Sequence, residues 1–292
     1  MEKCKLCYAQ ESETIYNGFL RKGSFGKMTS QKYNVYRCKK CQVSFIEDTL
    51  PQDYYDSPQY REDYNDTIDI NTFYKEYDNN DTSKISRIGL HAFRNKVVAD
   101  FGTAAGTFLQ TIHSIAKYTI AIEPSMHFHE TLKKTNQYVF SYGKDLVESG
   151  NKIDVATSFD VIEHVSSPIE YLKEIFVSLN KGGVLYLKTP NFDDILHELL
   201  PESYDSFNYR TAHLFYFDKS SLDFALKEAG FEDFEITYVH DYDLSNMLYW
   251  LKEKKPTGLA KTAIFDESFN SVYKNYLEKV GLASHLWVEV RK

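Results

Sequence analysis

The sequence predicts an α/β protein, an open sheet with helices on both faces preceded by a small N-terminal ribbon. Three observations carry that prediction. All four cysteines fall within the first 41 of 292 residues, as two Cys-x-x-Cys pairs. Residues 96–101 read as a buried strand that breaks into a small-residue turn at 102–106 and re-emerges at helical spacing through Phe108, Leu109, Ile112, Ile115 and Ala116. Strand-like and helix-like patterns then alternate toward the C-terminus.

Composition sets the class. With 42% hydrophobic and 26% charged residues, the chain is long enough for one large domain or two modest ones. No window approaches the roughly 18 consecutive apolar residues of a membrane helix, and the first ten residues lack the apolar run of a secretory signal. A cytoplasmic location without a membrane partner is therefore expected. The net charge of −8 is uneven, since residues 1–48 carry nine Lys/Arg against five Asp/Glu, or +4, leaving −12 for the remainder. Most of that surface would repel a polyanion, so nucleic acid is not expected as a partner.

The cysteines come first in the chain. Cys4-x-x-Cys7 and Cys38-x-x-Cys41 each offer two thiolates from one tight turn, and two facing turns make a closed tetrahedral site of the kind that holds structural zinc. The 30 residues between the pairs exceed the usual spacing of about 15 to 20, so the knuckles are expected to cap a β-ribbon with a long excursion through Gly18, Gly23 and Gly26. A redox dithiol or two free pairs are the alternatives.

The turn at 102–106 is a strand-to-helix junction of the kind that meets ligands at the edge of an open sheet. The next strand, Tyr118–Ile122, ends in Glu123, 21 residues after Gly102, where a carboxylate can accept both ribose hydroxyls of an adenosine-containing ligand. A dinucleotide fingerprint would need glycines at positions held by Ala104 and Thr107. Neither it nor a phosphate-binding loop fits.

What the stretch resembles is the first motif of the Rossmann-like S-adenosylmethionine-dependent methyltransferases, D-x-G-x-G-x-G, present as Asp100-x-Gly102-x-Ala104-x-Gly106 with alanine at the middle glycine. The resemblance continues through Glu123-Pro124, Gly143-x-Asp145-Leu146, the segment from Phe159 and Asp160 to Glu163, His164 and Val165, and the stretch from His213 to Phe217. It implies a seven-stranded Rossmann-like methyltransferase sheet, with later strands at Ile153–Phe159, 184–188, 231–239 and 286–290. A helix capped by Ser167, Pro168 and Glu170 would follow the fourth strand and stop at Lys181-Gly182-Gly183. The implied division is 1–48 zinc ribbon, 49–95 tyrosine-rich linker or lid with a leading helix, and 96–292 core with a helical insertion at about 241–281. The cofactor implied is S-adenosylmethionine, held by Asp100, Gly102, Thr103, Ala104 and Gly106 at the turn. Glu123 and Pro124 would lie at the ribose and Asp145 and Leu146 at the adenine, with Phe159 and Asp160 as further cofactor contacts.

S-adenosylmethionine is an activated methyl donor, so the chain must align an acceptor and remove its proton. His164 is the expected general base and Glu163 its orienting partner, with a seat for the following helix as the structural alternative. Asp160, Glu163 and His164 also match a divalent-cation arrangement seen in some relatives. Tyr54, Tyr55 and Tyr60 resemble the lid of zinc-ribbon methyltransferases that act on nucleotide-linked deoxysugars, although those carry a further C-terminal domain that this chain is too short to hold. On that likeness the expected substrate is a small polar metabolite, a sugar or nucleotide-linked precursor, with O- or N-methylation favoured over C-methylation and Asn191 and His213 as further contacts. The rival readings are an RNA methyltransferase gripping its substrate through the +4 ribbon and its Lys39 and Lys40, and a non-catalytic partner subunit that keeps the fold.

Overall fold

A computed structural model describes residues 2–47, 70–256 and 264–292. Three strands come first, β1 (Ser12–Arg21), β2 (Met28–Cys38) and β3 (Ser44–Ile46). Helix α1 (Ile70–Ile88) leads into β4 (Val97–Phe101), followed by α2 (Thr107–Ile112), β5 (Tyr118–Ile122), α3 (Met126–Leu132), β6 (Tyr138–Phe140), α4 (Gly143–Glu148), β7 (Ile153–Phe159), α5 (Pro168–Ser178) and β8 (Leu179–Pro190). The chain continues through α6 (Ile195–Leu199), α7 (Pro201–Asn208), β9 (Phe215–Tyr216), α8 (Lys219–Glu228), β10 (Asp233–Val239), α9 (Leu244–Glu253), α10 (Glu267–Val280) and β11 (His285–Arg291). Seven strands form a mostly parallel sheet in the order β10-β11-β8-β7-β4-β5-β6, as the sequence predicts. No described helix is long and apolar enough to cross a membrane.

Two compact units are present: Met1–Leu50, Lys188–Phe224 and Ile236–Trp287 form one, and Pro51–Leu187, Ala225–Glu235 and Val288–Lys292 the other. In the second unit β4 pairs in parallel with β5 and β7, and β5 with β6. Every residue of β4 is buried, which is why its sequence reads as a continuous apolar run broken only by Asp100. Helix α5 buries Leu172 and Ile175 and starts with Pro168 at its first turn. The predicted capping box does not form. Ser167 makes no side-chain cap bond, and Glu170 accepts instead from Lys173 at 2.7 Å. The helix ends at Ser178, and β8 runs through the expected stop, with Gly182 at φ +79 bonded through its N–H to the Lys292 carbonyl at 2.8 Å. Helix α2 is also shorter than its pattern, since the chain leaves the helix after Ile112.

The first unit holds the ribbon. Its strands pair antiparallel, β1 with β2 and β2 with β3, and a fourth strand closes the sheet from far along the chain, Ser44 opposite Tyr216 and Phe45 opposite Phe215. The compact unit that holds the ribbon also includes Lys188–Phe224 and Ile236–Trp287. Arg37 on β2 fastens the same edge: its guanidinium donates to the buried Asp218 carboxylate and to Ser44 Oγ at 3.2 Å, and stacks 4.7 Å from the Phe192 ring centroid. Leu196, Leu200 and Trp250 form a further cluster with Tyr204 and Phe207 packed against it.

Removing one partner of a mostly buried ion pair leaves the other charge poorly solvated. Arg37→Ala is expected to lower stability by about 2–3 kcal/mol, read as a lower midpoint in chemical denaturation.

Candidate active site

After β4 the backbone adopts left-handed values three times, Gly102 at φ +79, Ala104 at φ +49 and Gly106 at φ +84. A Cβ on Gly102 would lie 2.5 Å from Val161 Cγ2, so conformation and space both demand glycine there. Ala104 tolerates the same region at a cost of roughly 1–2 kcal/mol. Something must hold it. Glu123, buried at the end of β5, accepts the Ala104 N–H at 2.8 Å through Oε2 and the Ser125 N–H at 2.8 Å through Oε1. The Gly102 N–H bonds the Ile122 carbonyl at 2.8 Å, and His129 Nε2 lies 2.6 Å from the Glu123 carbonyl, so the turn is laced to the end of β5. A carboxylate has about four lone-pair sites, which leaves Glu123 capacity for two hydroxyl donors beyond these two amides. Half-buried Pro124 follows it.

Below the turn lies a buried polar cluster. Thr157 Oγ1 donates to Asp100 at 2.6 Å across adjacent strands, yet burial dominates and pushes the Asp100 carboxyl up to about 7. Lys84 on α1 pairs with Asp81 at 2.9 Å, and the other Asp81 oxygen accepts the Thr107 hydroxyl at the start of α2. The Lys84 ammonium lies 4.9 Å from the Phe159 ring centroid, against which Phe108 packs edge-on at 5.3 Å. Gln110 donates to Tyr74 at 2.6 Å, a second tie between the two helices. Asp81 and Lys84 went unseen in the sequence. Their i, i+3 spacing signals a pair, but nothing local signals the partner at Thr107.

Asp145 accepts the Tyr142 N–H at 2.9 Å and so fixes the start of its own helix, beside fully buried Leu146. Thr103 is buried in the turn. Past β7, Asp160 stands at φ +58 and the chain makes a tight turn over Ile162–His164. That turn buries Glu163, leaves His164 partly exposed and sets His164 Nε2 3.9 Å from Glu163 Oε1. The left-handed backbone at Asp160 reverses the chain before this turn, and among the described residues Asp160 joins no cluster of close ligand atoms with Glu163 and His164.

The four cysteines converge, free of disulfides. Cys4 Sγ lies 3.6 Å from Cys41 Sγ and Cys7 Sγ 3.5 Å from Cys38 Sγ, with all four sulfurs within 4.8 Å of one another. Sulfurs placed about 2.3 Å from a tetrahedral zinc ion are about 3.8 Å apart, so the donor set and its spacing fit that ion. Asn191 is buried and donates from Nδ2 to the Ala283 carbonyl at 2.8 Å and the Gly281 carbonyl at 3.2 Å, which commits its amide to holding the chain. His213 is buried beside Arg210, whose guanidinium bonds its Nε2. Tyr54, Tyr55 and Tyr60 lie outside the described residues.

A family profile described as a methyltransferase domain matches residues 74–236, more than half of the chain. The chain belongs to that family. Its residues 74–236 form a methyltransferase domain. A tRNA U34 carboxymethyltransferase from Campylobacter lari is 29% identical to it over 175 residues, 56% of this chain and 59% of the relative. The protein of the same name from Campylobacter jejuni subsp. jejuni serotype O:6 is 30% identical over 158 residues, 50% and 53% of the two chains. This methyltransferase thus spans a little over half the length of the curated relatives it matches. Among solved structures, a SAM-dependent methyltransferase from Archaeoglobus fulgidus superposes with a TM-score of 0.53 at 17% identity, covering 80% of this chain and 98% of its own. The plantazolicin methyltransferase BamL gives 0.51 at 13% identity, covering 82% and 93%. Both share the fold.

Asp100 ionises near pH 4 in an unfolded chain and near 7 in the folded one. Between those values the unfolded state has released a proton that the native state keeps, so this group makes stability fall as pH rises from about 4 to about 7. Asp100→Asn is expected to stabilise the fold at pH 8 relative to the parent by about 1–3 kcal/mol and to lose that advantage near pH 4. Paired denaturation curves at the two pH values check it.

Proposed function

We propose that this methyltransferase modifies RNA, with a base of tRNA as its acceptor. The observation that carries the reading is the similarity to relatives named for a tRNA uridine. The same finding corrects two expectations from the sequence, a sugar or nucleotide-linked acceptor and the absence of nucleic acid. The −12 of residues 49–292 does not exclude RNA, because phosphate binding depends on the cations that face the backbone locally.

S-adenosylmethionine, when bound, supplies a methyl group on a cationic sulfur. We assign its holding to the turn from Gly102 to Gly106 and to Glu123, whose buried carboxylate already orders the turn and retains acceptor sites for the ribose hydroxyls. Asp145 and Leu146 shape the adenine side. His164 takes the acceptor's proton, and Glu163, buried 3.9 Å from its ring, favours the charged imidazolium that results. Cys4, Cys7, Cys38 and Cys41 hold a structural zinc that locks the end of the ribbon, because the ribbon strands alone bury too little apolar surface to stand without it.

Incubation with labelled S-adenosylmethionine and bulk tRNA, followed by nucleoside digestion and mass analysis, is expected to reveal one modified base. Its mass distinguishes a methyl group from the carboxymethyl group in the relatives' name. Absence of label in tRNA together with label in a small-molecule fraction refutes the RNA reading. His164→Ala is expected to lower kcat by about 100-fold or more while leaving cofactor affinity nearly unchanged. Activity that merely tracks the folded fraction would make the histidine structural. Metal analysis is expected to return one zinc per chain and much less for Cys38→Ser.

A further inference from the structure

Resting on the RNA reading, we propose that the outer part of the β1–β2 hairpin is a platform for single-stranded RNA, with Lys22, Lys27 and Lys32 meeting phosphates and Phe19 stacking on an unpaired base. Residues 14–46 contain seven Lys/Arg and no Asp or Glu, in a chain whose net charge is −8. Lys22, Lys27 and Lys32 are all exposed. Beside them Phe19, Phe25 and Met28 are 43%, 49% and 39% exposed, an unusual display of large apolar groups for a ribbon this small. Phe19 stands directly opposite Lys32 across the strand pair, with the Lys32 ammonium 6.0 Å from its ring centroid. A cation set beside an exposed ring matches the alternation of phosphate and base along a single strand.

The platform is also rigid. The Lys22 N–H bonds the Lys27 carbonyl at 2.8 Å and the Lys27 N–H the Ser24 carbonyl at 3.1 Å, closing a tight loop. Gly23 and Gly26 take φ values of +86 and +90 there, which residues with a Cβ rarely adopt. At the root of the loop Arg21 is buried, its guanidinium 4.5 Å from the Phe207 ring centroid. Its backbone bonds the Tyr209 carbonyl at 2.9 Å and the Thr211 N–H at 3.0 Å. Lys22 and Lys27 therefore project from a hydrogen-bonded turn and Lys32 from the paired strand β2, which lowers the entropy lost on binding. Duplex RNA hides its base faces and would leave Phe19 unused, so the inferred ligand is an unpaired loop or strand.

The test measures binding of the full zinc-loaded chain to bulk tRNA, to a single-stranded oligoribonucleotide and to its duplex, by fluorescence anisotropy over a range of salt. Combining Lys22→Gln, Lys27→Gln and Lys32→Gln is expected to reduce the slope of log affinity against log salt by about 2, at about 0.7 per lost single-strand phosphate contact. Phe19→Ala is expected to weaken single-strand binding about tenfold with the slope unchanged. Zinc content and S-adenosylhomocysteine affinity equal to the parent's establish that both variants are folded. If the parent binds and modifies tRNA but both variants match it in affinity and slope, the platform is wrong while the RNA reading stands. Equal affinity for duplex and single strand, or stronger binding to an acidic peptide than to RNA, also overturns the platform. A parent that neither binds nor modifies tRNA overturns the RNA reading itself.

Discussion

The hydrogen bond from the Ala104 N–H to Glu123 is the constraint on which the turn depends. Three left-handed residues in five would make a loose loop if only sterics governed them, and one of the three carries a Cβ that disfavours the conformation. A buried carboxylate that needs donors supplies the compensation, because leaving it unsatisfied costs more than the backbone strain it holds in place. The strand, the turn and the next strand's acid therefore form one unit. The alanine in the motif is tolerated because the acid opposite it is already committed to its backbone N–H.

Beneath that unit the protein keeps ionisable groups where an apolar core would be more stable. Asp100 sits in an interior strand of the sheet, raised toward neutrality by burial, and Asp81 and Lys84 answer each other from a helix laid beside the turn. Buried ion pairs contribute little net stability, yet they hold directions that apolar contacts leave free. Asp81 reaching the Thr107 hydroxyl fixes where α2 begins, and that start sets the end of the turn. Alignment of this kind is what methyl transfer asks of a protein, since the donor's own chemistry supplies the driving force.

The ribbon shows how a small element can be both stabilised and used. Four thiols converge at one end and the Arg37–Asp218 pair fastens one edge, while β9 closes the sheet. These anchors leave the hairpin loop rigid although much of its surface faces solvent. That is also why the −12 carried by the rest of the chain misled. A protein of net charge −8 can carry an acid-free stretch of 33 residues, and solvent and salt screen the acids elsewhere within about 8–10 Å.

By itself the sequence determined the order of strands and helices in the core, the strand-to-helix turn and the grouping of the cysteines, because each is written in local periodicity or short spacing. Tyr118–Ile122 and Ile153–Phe159 fall where their apolar runs predict, and the junctions with Gly102 and Gly106 are visible as small residues between two periods. Glu163 and His164 were legible as a pair for the same reason, being adjacent in the chain. Tertiary structure alone decided that Phe215 and Tyr216 complete the ribbon's sheet, that Asn191 holds Gly281 and Ala283, and that Asp81 reaches Thr107. Each of those contacts joins residues between 26 and 172 positions apart, farther than any helical or strand period extends. Only packing brings such groups together, since a side chain's hydrogen-bonding capacity can be read from its type but its partner is fixed by where the chain returns.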